Sequence, residues 1–109
     1  MLISIKEFKR LDLRVGQIRK AEPIPGAHCL LKVQVDLGQG QRTLVAGLAD
    51  FYTQQQLIGL KVIVVANLEP ATIRGVLSQG MMLGAGCSDG EDVALLTIDK
   101  DVPNGTPVE

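Results

Sequence analysis

Aromatic side chains are nearly missing from this chain: two Phe, one Tyr and no Trp in 109 residues. A core built here has to come from Val, Ile and Leu. Histidine occurs once, at His28, beside Cys29. Neighbouring residues on a strand point to opposite faces, so this pair does not make a thiol with a base in reach. No Ser-His-Asp set can be argued around His28 either. The two cysteines, Cys29 and Cys87, lie far apart, which excludes a disulfide framework and a Cys-based metal site. The longest apolar run, Val62 to Ala66, is far short of a membrane span. No charged segment followed by an apolar stretch opens the chain, so a cytoplasmic location is expected. Excess positive charge is also lacking: the net charge is −1, which argues against a strongly basic nucleic-acid binder.

What is present is 46% apolar residues in a length suited to one domain over residues 1–109. A chain of this size buries roughly two-thirds of its unfolded surface, enough for a core without staples. The charge is unevenly spread. Residues 1–43 carry Lys6, Lys9, Arg10, Arg14, Arg19, Lys20, Lys32 and Arg42 against four acids. Residues 44–109 carry Lys61, Arg74 and Lys100 against eight acids. Such segregation is able to build a local basic face on a nearly neutral protein.

Ser4-Ile5-Lys6-Glu7 has the form of a capping box and predicts a short helix that turns Phe8 and Leu11 inward. Leu13 to Ile18 alternates as a strand does, with the phase broken at Gly16-Gln17, which predicts a bulge or bend at Gly16. Glu22-Pro23-Ile24-Pro25-Gly26 reads as a loop. Leu31 to Leu37 alternates without fault, Gly38-Gln39-Gly40 turns, and Arg42 to Ala46 returns as its partner. Thr53-Gln54-Gln55-Gln56 is a second capping box, with its helix ending at Gly59. Lys61 to Leu68 is apolar on both faces, hence central or covered. Met81 to Ala85 and Val93 to Ile98 are further strands, joined by a turn at Ser88-Asp89-Gly90-Glu91. Five to six short strands and two short helices make an all-β pattern. The bent first strand, the hairpin and the helix before strand 4 point to a five-stranded OB barrel.

Asp89, Glu91 and Asp92 lack the spacing of a calcium loop and read as a solvated turn. Gly84-Ala85-Gly86 followed by Gly90 fails as a dinucleotide fingerprint, because no helix follows and the third glycine is misplaced. No cofactor, metal or catalytic group is expected. One stretch is odd for a chain that only fills a core. An apolar run stops at Asn67, and after a loop Ser78-Gln79-Gly80 leads directly into Met81-Met82. Asn67 and Ser78 each suit a turn or a strand end, yet they bracket Arg74 and flank one apolar strand. Met81 is expected to face outward, as a soft apolar contact where ring platforms are scarce.

Several separated blocks resemble the tRNA-binding domain that is appended to methionyl-tRNA synthetases and also stands alone as a structure-specific tRNA-binding protein. They are Leu11-Asp12-Leu13-Arg14-Val15-Gly16, Leu30 to Val33 with Asp36-Leu37-Gly38, Arg42 to Gly47, Asn67-Leu68 with Pro70, and Gly75 to Met81. The resemblance, which extends more distantly to an export-related chaperone, implies an OB barrel, a homodimer, and tRNA as partner with no catalysis. It places Asn67, Ser78, Gly80 and Met81 on the RNA site, with Lys32, Arg42, Lys61 and Arg74 as bases able to reach phosphate. The Ser-Gln-Gly-Met form favours the tRNA-binding branch. His28-Cys29 and Glu69-Pro70-Ala71-Thr72 stand where the family often carries bases, which weakens the expected affinity. The alternative is a chaperone-like module, or one that docks on an aminoacyl-tRNA synthetase, with weak or no RNA binding.

Overall fold

The computed structural model describes residues 1–86 and 90–109. Both capping boxes form. Ser4 caps helix α1 (Ile5–Phe8) and Thr53 caps α2 (Gln54–Leu57), and in each the side chain at the third helical position bonds back to the cap. The remaining elements are strands: β1 (Leu13–Ile24), β2 (Ala27–Asp36), β3 (Gln41–Ala46) and β4 (Lys61–Val65). They are followed by the short β5 (Ala71–Ile73), β6 (Val76–Ser78), β7 (Met81–Met82), β8 (Gly84–Gly86), β9 (Val93–Leu95) and β10 (Pro107–Val108). The chain is therefore all-β, with two small helices.

The main sheet has the order β3-β2-β1-β4-β7, with β10 added on β1. All of its pairs are antiparallel. β1 serves two neighbours in succession: Leu13 to Gln17 pair with β4, and Gln17 to Ile24 pair with β2. Gly16 makes this handover possible, although not through the expected bulge. A Cβ there would sit 2.4 Å from Val35 Cγ1 and 2.9 Å from Leu37 Cδ2, so the bare glycine lets β2 side chains lie across the strand. The register shift itself falls between Ile18 and Lys20.

The loop expected at Glu22–Gly26 is mostly strand. Glu22 pairs with Lys32 and Pro23 with Leu31, and only Pro25-Gly26 turns. A second register shift beside Pro23 accommodates the residue that cannot donate to the ladder. The segment after Asn67 forms a separate two-stranded sheet, β5-β6, and β8-β9 forms another, which raises the strand number above the five or six expected. Among the described residues no ladder joins β3 to β7, so strand pairing does not close the sheet into the expected barrel. The expected turn at Ser88–Glu91 lies partly outside the described residues, as do Cys87 and the Asp89 of the acidic turn.

The apolar pattern explains the layers. Ile18, Val33, Val35, Leu44, Leu57, Val62 and Val64 are fully buried in one cluster. Each such side chain contributes roughly 1.5–3 kcal/mol of transfer free energy. Leu13, Val15, Ile63 and Val65 bury the other face of β1 and β4 under Phe8, Ile98, Val102 and Val108. That second cover is why Lys61 to Val65 is apolar on both faces. Leu11, expected inside, is exposed. Tyr52 packs on the first cluster, and its hydroxyl accepts from the Leu95 N–H at 3.1 Å, fixing β9 beside the segment that precedes α2.

The β2–β3 turn is held by Asp36. Its carboxylate accepts from the Gly38 N–H at 2.8 Å and from Arg19 at 3.2 Å. These bonds, the Gly38 one first, hold the Asp36 carboxyl below its ordinary range. A lowered folded-state value means that the charge stabilises the fold at neutral pH. The contribution is lost as pH drops below the unfolded value, about 3.9, and through the folded one. Asp36→Asn is expected to lower stability at pH 7 and to flatten the acid limb of the stability profile below about pH 4, as measured by urea unfolding across pH.

Candidate nucleic-acid interface

Where β4 ends, the chain has to turn away from the sheet, and the polar residues of the odd stretch organise that turn. Asn67 Oδ1 accepts from the Asp12 N–H at 2.8 Å, and Asn67 Nδ2 donates to the Arg10 carbonyl at 2.7 Å. The side chain thus staples the end of β4 to the junction of α1 and β1. It brings Lys9 and Arg10, both exposed, to the border of this region.

Leu68 to Pro70 then lead into the β5–β6 hairpin. Its two-residue tip is Arg74-Gly75, with φ of 50° and 81°. Both central residues at positive φ match the twist of a tight hairpin. Arg74 is the only non-glycine residue at positive φ among those described. Such a backbone is disfavoured for a side-chain-bearing residue by roughly 1–2 kcal/mol. Arg74 is exposed, and no hydrogen bond or ion pair engages it among the described residues.

The Ser78-Gln79-Gly80 segment crosses to β3. The buried Ser78 hydroxyl accepts from the Val45 N–H at 3.0 Å and donates to the Gly80 carbonyl at 3.3 Å. The Gln79 N–H donates to the Thr43 carbonyl at 2.8 Å. Gly80 has φ of 143°, and a Cβ there would lie 2.8 Å from the Val65 carbonyl oxygen, so no other residue fits this approach without a shift. Arg42, reaching over from β3, donates through Nη1 to the Ala66 carbonyl and, at 3.5 Å, to the Gln79 carbonyl. Met81 pairs with Val65 and stays half exposed, at 50%.

Of the eight residues singled out in the sequence, Arg42, Asn67, Ser78, Gly80 and Met81 therefore meet around the end of β4, with Arg74 on the hairpin that springs from it. Lys32 lies one strand further, on β2, aligned with Val45 and Glu22. Lys61 stands apart, four residues and about 13 Å down β4. Its ammonium is engaged by the Val102 carbonyl and, at 2.8 Å, by Asp101. That charge anchors the C-terminal segment, and the expected reach of Lys61 toward phosphate is revised accordingly. Leu68, Ile73 and Leu77 are also exposed, Leu68 on the loop and the other two on opposite faces of the hairpin, since Ile73 aligns with Val76 and Leu77 with Thr72. The assembly offers hydrogen-bond donors, cations and a small apolar shelf. Among the described residues no group of three or more His, Cys, Asp or Glu gathers as a metal site.

Residues 13–107 match the family model described as "Putative tRNA binding domain". The chain belongs to the tRNA-binding domain family. This tRNA-binding domain is 47% identical over 106 residues to a methionine–tRNA ligase of Methanocaldococcus jannaschii, covering 97% of the chain and 16% of the ligase. It thus spans about one-sixth of the length of that relative. Among solved structures it is similar to a MetRS-related protein from Pyrococcus horikoshii, with 39% identity and a TM-score of 0.93 over 100% of this chain and 99% of that one. It is also similar to the chaperone CsaA from Bacillus anthracis, with 30% identity and a TM-score of 0.90 over the whole of both chains.

The bonding pattern separates structural from surface roles in this tRNA-binding domain. Ser78→Ala strands the Val45 N–H and is expected to cost about 1–3 kcal/mol in urea unfolding. Met81→Ala, on the open side of β7, is expected to change stability by less than about 1 kcal/mol in the same measurement.

Proposed function

We propose that the chain is a non-catalytic, stand-alone tRNA-binding protein of the cytoplasm, an OB barrel that works as a homodimer and recognises tRNA by shape and backbone. The observation that carries this reading is the joining of Arg42, the Ser78–Met81 segment and the Arg74 hairpin at one end of the sheet, in a member of the tRNA-binding domain family. Arg74, Lys32 and the free edge of Arg42 hold phosphates. Met81 gives an apolar rest to an unstacked base. Asn67, Ser78 and Gly80 shape the backbone under these groups and do not carry the contact themselves, since their side chains or their lack of one are used inside the fold. The bridge from β3 to the Ser78–Met81 segment stands in for the ladder that would complete the barrel.

The net charge of −1 is compatible with this role because the charge is segregated, with eight bases against four acids in residues 1–43. Three phosphate contacts on one subunit give a log–log salt dependence with a slope of about −2 to −3. A filter-binding titration against bulk tRNA at several salt concentrations measures it. Arg74→Ala is expected to reduce that slope by about one. Absence of binding below tens of micromolar at low salt sinks the reading.

The dimer rests on a separate feature. Met1, Leu2, Ile3 and Ile5 are all exposed on a single copy, an apolar run that a lone soluble domain rarely presents to water. A second copy is the simplest cover for it. Sedimentation of the wild type is expected to give a dimer, and the double change Ile3→Glu with Ile5→Glu a folded monomer; a wild-type monomer at tens of micromolar contradicts the assignment.

One observation favours a second reading, a chaperone-like module. A groove of about 330 Å³ runs along Val45, Leu48, Met81, Met82, Val93 and Leu95. It is apolar enough for an extended peptide, and the similarity to a solved chaperone agrees with it. Under this reading the protein suppresses aggregation of an unfolded client and purifies free of RNA.

A further inference from the structure

A second concavity, of about 510 Å³, opens on the other side of Arg42. It lies between the start of β1, the end of β4, the β2–β3 turn and the turn that precedes β10, and it shares only Arg42 with the contacts proposed above. Its walls carry Asp12, Arg14, Gln39, Gln41, Arg42 and Asn104. We propose that it is a nucleotide pocket: it takes one nucleoside monophosphate unit, with the phosphate on the two guanidiniums and the sugar and base against the amide side chains. The proposal rests on the tRNA-binding reading insofar as the unit belongs to an RNA strand.

Three features of the pocket support this. First, both arginines are pre-set by the backbone. Arg14 Nε donates to Asp12 Oδ1 at 2.7 Å, and Arg14 Nη1 donates to the Gly105 carbonyl at 3.1 Å. Arg42 is fixed through Nη1 to the Ala66 and Gln79 carbonyls. In each case Nη2 keeps its donors, with no acceptor among the described residues. Planar, fixed guanidiniums with free N–H groups are the usual means of holding phosphate. Asp12 offsets one of the two positive charges and leaves the lining one unit positive, which suits a singly engaged anion better than a multiply charged one.

Second, the wall opposite is rich in amides. Gln39 and Gln41 each offer both donors and acceptors, the combination that reads base edges and ribose hydroxyls. Asn104 donates through Nδ2 to Gln17 Oε1 at 3.2 Å, while its Oδ1 is buried without any donor. That oxygen is closed to solvent, so the amide groups open to a ligand are those of Gln39 and Gln41.

Third, the floor is kept bare. A Cβ on Gly38 would lie 2.3 Å from the Asn104 carbonyl oxygen, and one on Gly105 would lie 2.3 Å from that of Leu37. Both glycines are at positive φ. Two backbones in direct contact make a rigid base for the pocket. The volume is within the range of small-molecule pockets. Because Arg42 is tied to the Gln79 carbonyl, the mouth of the pocket adjoins the segment that carries Met81. An RNA strand resting on that shelf has one nucleotide's reach into the cavity.

The test is an amide-resonance titration of the full chain with each of the four 5′-nucleoside monophosphates, with inorganic phosphate as control, and tRNA binding measured on the same proteins. Two variants accompany it: Arg14→Gln, which removes a phosphate donor, and Gln39→Glu, an exposed change that sets a negative charge at the rim. Saturable shifts at Gly38, Gly40 and Gly105 are expected with nucleotides and weaker ones with phosphate. Both variants are expected to weaken nucleotide binding about tenfold. A parallel loss of tRNA affinity in both variants assigns the bound unit to RNA; loss of nucleotide binding alone makes it a site for free nucleotides. Wild-type protein that leaves the three glycine resonances unmoved at tens of millimolar nucleotide overturns the pocket, and so do shifts that both variants leave intact. If tRNA fails to bind while the glycines respond to nucleotide, the tRNA reading falls and the pocket stands. If tRNA binds while they stay silent toward every ligand, the reverse holds.

Discussion

Arg42 joins what the ladder leaves apart. β3 is one edge of the main sheet and β7 the other, and no strand pairing connects them among the described residues. The guanidinium of Arg42, the Ser78 hydroxyl and the Gln79 N–H cross that gap, each reaching a backbone group on the far side. A charged donor shared between two carbonyls makes a stronger tie than a neutral pair, and its position at the end of β4 sets where the β5–β6 hairpin leaves the body of the protein. The half-exposed Met81, the tip at Arg74 and the proposed nucleotide pocket all take their positions from this seam. Arg42 also lines both places, so its loss removes a contact together with the tie.

Much of the architecture was legible because local chemistry dictates it. The capping boxes at Ser4 and Thr53 start helices where a side-chain oxygen meets an orphan N–H. The faultless alternation of Leu31 to Leu37 lies within β2, with the turn at Gly38-Gln39-Gly40 behind it. The failures share a cause. Pro23 was read as a loop former, yet a register shift beside it lets the strand continue. Gly16 was read as a bulge or bend; the register shift falls past it, between Ile18 and Lys20, and the glycine is also a place where another strand's side chains cross. Both depend on partners distant in sequence, and periodicity carries no information about those.

The site was legible in its membership and less so in its roles. The odd stretch marks the place where the end of β4, the Ser78–Met81 segment and β3 are tied together. Its polar residues were taken for ligand contacts because polar groups at the end of an apolar run want partners. Those partners turned out to be backbone groups of residues 10, 12, 45 and 80. Lys61 was misplaced for a similar reason: a lysine next to a binding strand looks available until a C-terminal carbonyl and Asp101 are found against it. Arg14 went unnoticed, since inside an alternating strand a cation on the open face reads only as solvated surface.

The scarcity of rings has one more consequence. Tyr52 is the sole tyrosine, and there is no tryptophan. Its hydroxyl is bonded to the backbone of Leu95, so the near-ultraviolet emission of the unmodified protein originates at the contact between β9 and the body of the fold. The chain carries its own optical probe, placed at the rim of the apolar groove and away from Arg42, and the two ends of the molecule are thereby distinguishable without any added label.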